Sequence, residues 1–145
     1  MDDLLLQKYL RNETSEEELV EVLDWHVEAH PGRTQIILLT EGDAEERVDY
    51  RHLREVAGAV AAGLQGLGLQ PRQTVAIMLP TSREYFFAYF GVLLAGGIPV
   101  PIYPPARPAQ IEEHVRRHIG ILANAGAGIL VTVPEAMAVA RLLEA

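Results

Sequence analysis

Cysteine is absent from the 145 residues. That excludes a disulfide framework, a thiolate metal site and a cysteine nucleophile. It fits a reducing compartment, and the cytoplasm is the expected location. Lysine is nearly absent, with Lys8 alone. A phosphate-cradling P-loop needs its own lysine after a glycine run, so that loop is excluded. No positive n-region opens the chain, because Asp2 and Asp3 follow Met1, and a secretory signal is not expected. Internal repeats and low-complexity tracts are also missing.

Basic charge is scarce where acid is plentiful. Residues 1–49 hold 14 acidic against 4 basic side chains, and residues 50–145 hold 6 against 8, for a net charge of −8. No basic stripe forms, so nucleic acid is not an expected partner. The acidic front reads as solvated surface on a helix and a hairpin.

What is present is apolar. Hydrophobic residues make up 49% of the chain, enough for a substantial core. Tyr85 to Ala106 carries no charge, which is long enough to raise a membrane span as a question. Gly96-Gly97 and the prolines after them break the run, so a buried helix followed by a strand is expected instead. Five of the nine prolines fall between Pro99 and Pro108. Pro99 and Pro101 are two apart, so their missing N–H groups lie on one side of a strand at 98–102. Pairing must then use the N–H groups of Ile98, Val100 and Ile102. Tyr103-Pro104-Pro105 should be extended, since a residue before proline avoids the helical region.

Periodicity sets the other elements. Met1–Leu10 suggests a small helix within a mobile segment 1–15. Ser15-x-x-Glu18 fits a capping box ahead of Leu19, Val20, Val22, Leu23 and Val27, with a stop at Pro31-Gly32. Thr34–Thr40 and Arg47–Asp49 suggest a hairpin. Leu53, Val56, Ala57, Val60, Ala61, Leu64 and Leu67 follow helical spacing from Tyr50. Strands are predicted at 74–79, 98–102 and 129–132, each followed by a helix. The helix from Tyr85, with aromatics nearly all round it, should be deeply buried. The predicted fold class is α/β: a layered fold with a parallel sheet core flanked by helices, preceded by an N-terminal helix and β-hairpin.

Catalytic signatures are few. His114 and His118 share a helix face, but the sequence between them lacks the glutamate of a zinc-protease motif and supplies Arg116 and Arg117. Glu45-Glu46 and Glu112-Glu113 are adjacent and so point apart on a helix. Gly66-Leu67-Gly68 closes a helix and is no dinucleotide fingerprint. No catalytic, cofactor-binding or metal-binding residue is assigned from these patterns.

Two stretches carry a resemblance. Val48–Leu79 (V-D-Y-R-H-L-R-E-V-A-G…G-L-Q-P-R-Q-T-V-A-I-M-L) and Leu93–Pro105 (L-L-A-G-G-I-P-V-P-I-Y-P-P) together resemble the opening of the adenylate-forming enzymes, the acyl-CoA synthetase superfamily. Asp49 stands where that family usually has Thr or Ser. The motif positions are Tyr50, Leu53, Gly96, Gly97, Pro101, Tyr103, Pro104 and Pro105, with a structural role. V-P-I-Y-P-P-A-R-P is most similar to the fatty acyl-AMP ligases. The resemblance implies that residues 1–145 are the N-terminal portion of a larger domain. Its parent would use ATP and magnesium to convert a fatty acid to an acyl-adenylate and pass it to an acyl carrier protein. The chain alone is expected to be inactive, to hold no cofactor and to self-associate. An acyl-CoA ligase, a peptide-synthetase adenylation domain and a free-standing binding or dimerisation module remain alternatives.

Overall fold

Side-chain caps set the helix starts. Ser15 precedes α2 (Glu16–Ala29). Its hydroxyl accepts from the Glu18 N–H at 3.2 Å, and the Glu18 carboxylate accepts from the Ser15 N–H at 2.7 Å. This is the reciprocal box read from the sequence. Asp49 caps α3 (Tyr50–Gly66), accepting from the His52 N–H at 2.8 Å. The aspartate thus does the work for which a Thr or Ser is usual. Ser82 caps α4 (Arg83–Leu94) through the Tyr85 N–H.

The computed structural model describes residues 3–11, 13, 15–40, 42, 44–104, 111–134 and 141. A short helix, α1 (Asp3–Leu10), comes before α2, and Lys8 in it is paired with Glu18. The hairpin β1 (Thr34–Leu39) and β2 (Glu45–Asp49) is antiparallel, and its second strand starts two residues before the expected one. After α3 come β3 (Thr74–Met78), α4, β4 (Ile98–Pro101), α5 (Ile111–Ala125) and β5 (Ile129–Thr132). The expected helix after β5 lies outside the described residues except at Arg141, which is helical.

β3, β4 and β5 form one parallel sheet in the order β4-β3-β5. The central strand explains its own sequence. Val75, Ala76, Ile77 and Met78 are fully buried, because helices cover both faces. Val75 and Ile77 face α3 and α4 and join Ala61, Leu64, Leu69, Ala88 and Val92. Ala76 and Met78 turn the other way, to Ile102 and to Leu122 of α5. A fully buried Val or Ile contributes about 1.5–3 kcal/mol, so this strand is a main source of stability.

β4 is an edge strand among the described residues. The Ile98 N–H donates to the Gln73 carbonyl and the Ile102 N–H to the Ile77 carbonyl, both at 2.9 Å. The nitrogens of Pro99 and Pro101 therefore face outward, where no ladder bond is lost.

A second cluster joins α2, the hairpin and the helices through Leu23, Val48, Tyr50, Leu53 and Phe87. α3 and α4 cross very closely at Gly91. A Cβ there would stand 2.6 Å from Val60 Cγ1 and 3.1 Å from the Ala57 carbonyl oxygen.

Two expectations change. Of the five aromatics of α4, only Phe87 is buried; Tyr85, Phe86, Tyr89 and Phe90 are half-buried. The fully covered side of α4 is its small and aliphatic one, at Ala88, Gly91 and Val92. Leu67 continues the helical spacing but is 76% exposed, because α3 ends at Gly66 and Leu67 caps it. Among the described residues, no helix is long and apolar enough to cross a membrane.

Candidate functional site

Three parallel strands put three carboxyl ends on one edge. That edge is made by Leu79-Pro80-Thr81-Ser82 after β3, Ile102-Tyr103-Pro104 after β4, and Val133-Pro134 after β5. Open parallel sheets bind ligands outside such carboxyl ends. The Thr132 hydroxyl donates to the Met78 carbonyl at 3.1 Å and ties β5 to β3 there. Ile102 is buried in the core, and the next side chain, Tyr103, is 83% exposed. The half-buried Pro104 follows. The chain thus leaves the sheet with one side chain anchored and the next one presented.

The expected motif positions fall in three places. Tyr50 and Leu53 lie in the first turn of α3, inside the cluster with Leu23, Val48 and Phe87. Burial pushes the Tyr50 phenol up from its usual pKa, so it is neutral at ordinary pH. Gly96 and Gly97 lie at the amino end of β4. Gly96 has φ +78°, and its carbonyl accepts from the Arg72 N–H at 2.7 Å. A Cβ on Gly97 would meet Val92 Cγ1 at 3.1 Å and the Gln73 oxygen at 3.2 Å. Pro101, Tyr103 and Pro104 lie at the carboxyl end, roughly 13 Å away along a four-residue strand. Pro105 is outside the described residues.

Among the described residues, Arg83, which follows Ser82 at the carboxyl edge, is already engaged. Arg83 donates to Glu84 and to Glu46, each at 2.8 Å, and so joins α4 to the hairpin. The hydrogen bond to Arg83 holds the Glu84 carboxyl below its usual range, and Glu84 in turn raises Arg83. Lys8 is held by Glu18, whose pKa falls to about 2, first through that bond and then through the Ser15 N–H. Among the described residues, no three His, Asp or Glu side chains converge to hold a metal. His118 is buried on α5, and the side chain of His114 is outside the described residues. These residues do not fit a magnesium ion or an ATP phosphate chain.

His26 was not singled out by sequence. Its signal was its place four and three residues after Val22 and Leu23, on the buried face of α2.

The geometry defines a class first: a layered α/β unit built on a parallel sheet. The family model described as AMP-binding enzyme matches residues 23–144. The chain belongs to that family. It is 41% identical over 78 residues to the long-chain-fatty-acid–AMP ligase FadD32 of Mycolicibacterium smegmatis, covering 54% of this chain and 12% of that protein. It is 40% identical over 89 residues to a long-chain-fatty-acid–CoA ligase of Yersinia pestis, covering 61% of this chain and 15% of the relative. The fold matches a fatty acyl-adenylate ligase of L. pneumophila, solved with acyl adenylate and pyrophosphate. That match has a TM-score of 0.78 and 27% identity, over 96% of this chain and 22% of the other. The chain therefore spans under a quarter of the length of each relative it matches here.

Proposed function

We propose that these residues are the first portion of the large domain of a fatty acyl-AMP ligase. The parent would join a fatty acid carboxylate to the α-phosphorus of ATP, release pyrophosphate, and pass the acyl group to a carrier-protein thiol in the cytoplasm. ATP, magnesium, fatty acid and carrier protein are partners of the parent. No residue of this chain is assigned a catalytic role, and segments outside residues 1–145 would supply the phosphate contacts. Tyr50, Leu53, Gly96 and Gly97 would frame the domain, and Pro101, Tyr103 and Pro104 would form a wall at its carboxyl edge.

The observation that carries this reading is the match of nearly the whole chain to an acyl-adenylate-bound ligase. The exit Ile102-Tyr103-Pro104 supports it. A CoA ligase is the second reading, favoured by the 40% identity to the Yersinia pestis protein.

The parent coding sequence should be expressed and given ATP, magnesium and a long-chain fatty acid. Mass spectrometry is expected to find acyl-adenylate, and acyl transfer to a phosphopantetheine carrier but not to free CoA. Efficient acyl-CoA formation would move the second reading to first place. Activation of amino acids alone would point to a peptide synthetase. The 145-residue chain by itself is expected to release no pyrophosphate above a no-protein control. It is also expected to self-associate through its less acidic second half in light scattering.

A further inference from the structure

Among the described residues, Nδ1 of His26 is the buried side-chain polar atom without a hydrogen-bond partner. Its ring lies flat on the Tyr50 ring, with centroids 4.4 Å apart and planes 7° apart. Trp25 meets it edge-on at 4.7 Å, and the His30 ring stands 6.1 Å away. Tyr50 opens α3, and its N–H donates to the Arg33 carbonyl at 3.2 Å. The Arg51 N–H donates to the Pro31 carbonyl at 3.1 Å. The stack thus clamps the last turn of α2 onto the first turn of α3, across the turn at Pro31–Arg33.

The charge state of His26 decides whether this clamp is favourable. A neutral imidazole with its proton on Nε2 leaves only a lone pair at Nδ1, which is cheap to bury. A protonated ring puts an N–H there that belongs to a cation and has no acceptor, which is expensive. The Tyr50 face would attract an imidazolium. Burial, His30 on the same helix and Arg33 in the turn oppose it, in that order of effect. Tyr50 is neutral and offers no counter-charge. Asp24 of α2 is committed to Arg54 of α3.

We propose that the His26–Tyr50 stack is a proton-operated latch between α2 and the first turn of α3, closed while His26 is neutral and released when it is protonated. Burial holds His26 below its ordinary pKa of about 6.5, so the closed state binds fewer protons than the open one. The latch is at full strength above about pH 6.5 and is lost as pH falls through the lowered value.

Trp25 is the only tryptophan and touches both histidines, so it reports on the joint. Hydrogen exchange and Trp25 fluorescence should be followed from pH 8 to pH 5 on the 145-residue chain. Amides of Tyr50, Arg51 and the last turn of α2 are expected to lose protection relative to β3 as pH falls from about 6.5 to the lowered His26 value, by up to about tenfold per pH unit, and to level off below it. The loss should vanish in His26→Gln and persist in His30→Gln. Unchanged relative protection, or a loss that survives in His26→Gln, would overturn the latch. Should His26→Gln fail to fold, the imidazole resonances of the unaltered chain decide. A His26 midpoint below about 6.5 supports the latch, and one at or above about 6.5 overturns it.

Discussion

The two ends of β4 are four residues apart and work by opposite rules. At the amino end the chain is enclosed. Gly96 takes a left-handed turn, and Gly97 sits against Val92, Leu69 and the Gln73 carbonyl. At the carboxyl end the chain opens out, with Ile102 held in the core and Tyr103 in solvent. Read as a string, L-L-A-G-G-I-P-V-P-I-Y-P-P looks like one motif. In the fold, its glycines fix the path of the chain and its tyrosine, Tyr103, is presented to solvent. A motif can thus span two jobs with no contact between them.

Substitution at each end sharpens that contrast. The largest effect should come from Gly97→Ala. The Gln73 oxygen cannot retreat, because it accepts from the Ile98 N–H at 2.9 Å. A loss of about 1–3 kcal/mol is expected in urea unfolding. A loss under about 0.5 kcal/mol, the size of an ordinary surface change, would break the contrast. Gly96→Ala comes next. Its nearest atom beyond the chain neighbours would be Pro71 Cα at 3.8 Å, so there is room and only the positive φ resists. The expected loss is about 1–2 kcal/mol, and Gly96→Asn should recover part of it. The smallest effect belongs to Tyr103→Ala. Its unfolding midpoint should stay within about 0.5 kcal/mol of the parent value. On the proposed function, the same change in the full-length enzyme is expected to alter the KM for the fatty acid. A large stability loss from Tyr103→Ala would mean that the carboxyl end is also a packing joint.

Local signals were the legible part of this fold. Ser15 and Glu18 announced a box, and Pro99 and Pro101 announced which side of the strand could pair. The apolar run at Thr74–Leu79 announced a strand covered on both faces. Each depends on neighbours in sequence, or on a parity that the backbone imposes. What escaped depended on distant partners. Gly91 looks like any helical glycine until Val60 is seen against it. Four of the α4 aromatics read as core yet are half-buried, because hydropathy does not say which side of a helix its neighbours occupy. His26 carried no motif, and its meaning comes from Tyr50, 24 positions later. The motif positions were read from sequence as one set. Its division between the two ends of β4 and the start of α3 was not.

One consequence of the β4 prolines concerns growth. The outer border of β4 offers carbonyl groups at Pro99 and Pro101 and no N–H between them. A strand arriving there would find half a vocabulary and could not complete a ladder. β5 has no proline within Ile129–Thr132, and among the described residues it pairs with β3 alone. The sheet therefore has a direction. Among the described residues its β4 border lacks donors at Pro99 and Pro101, and the border that offers a further strand both donors and acceptors is the one beside β5.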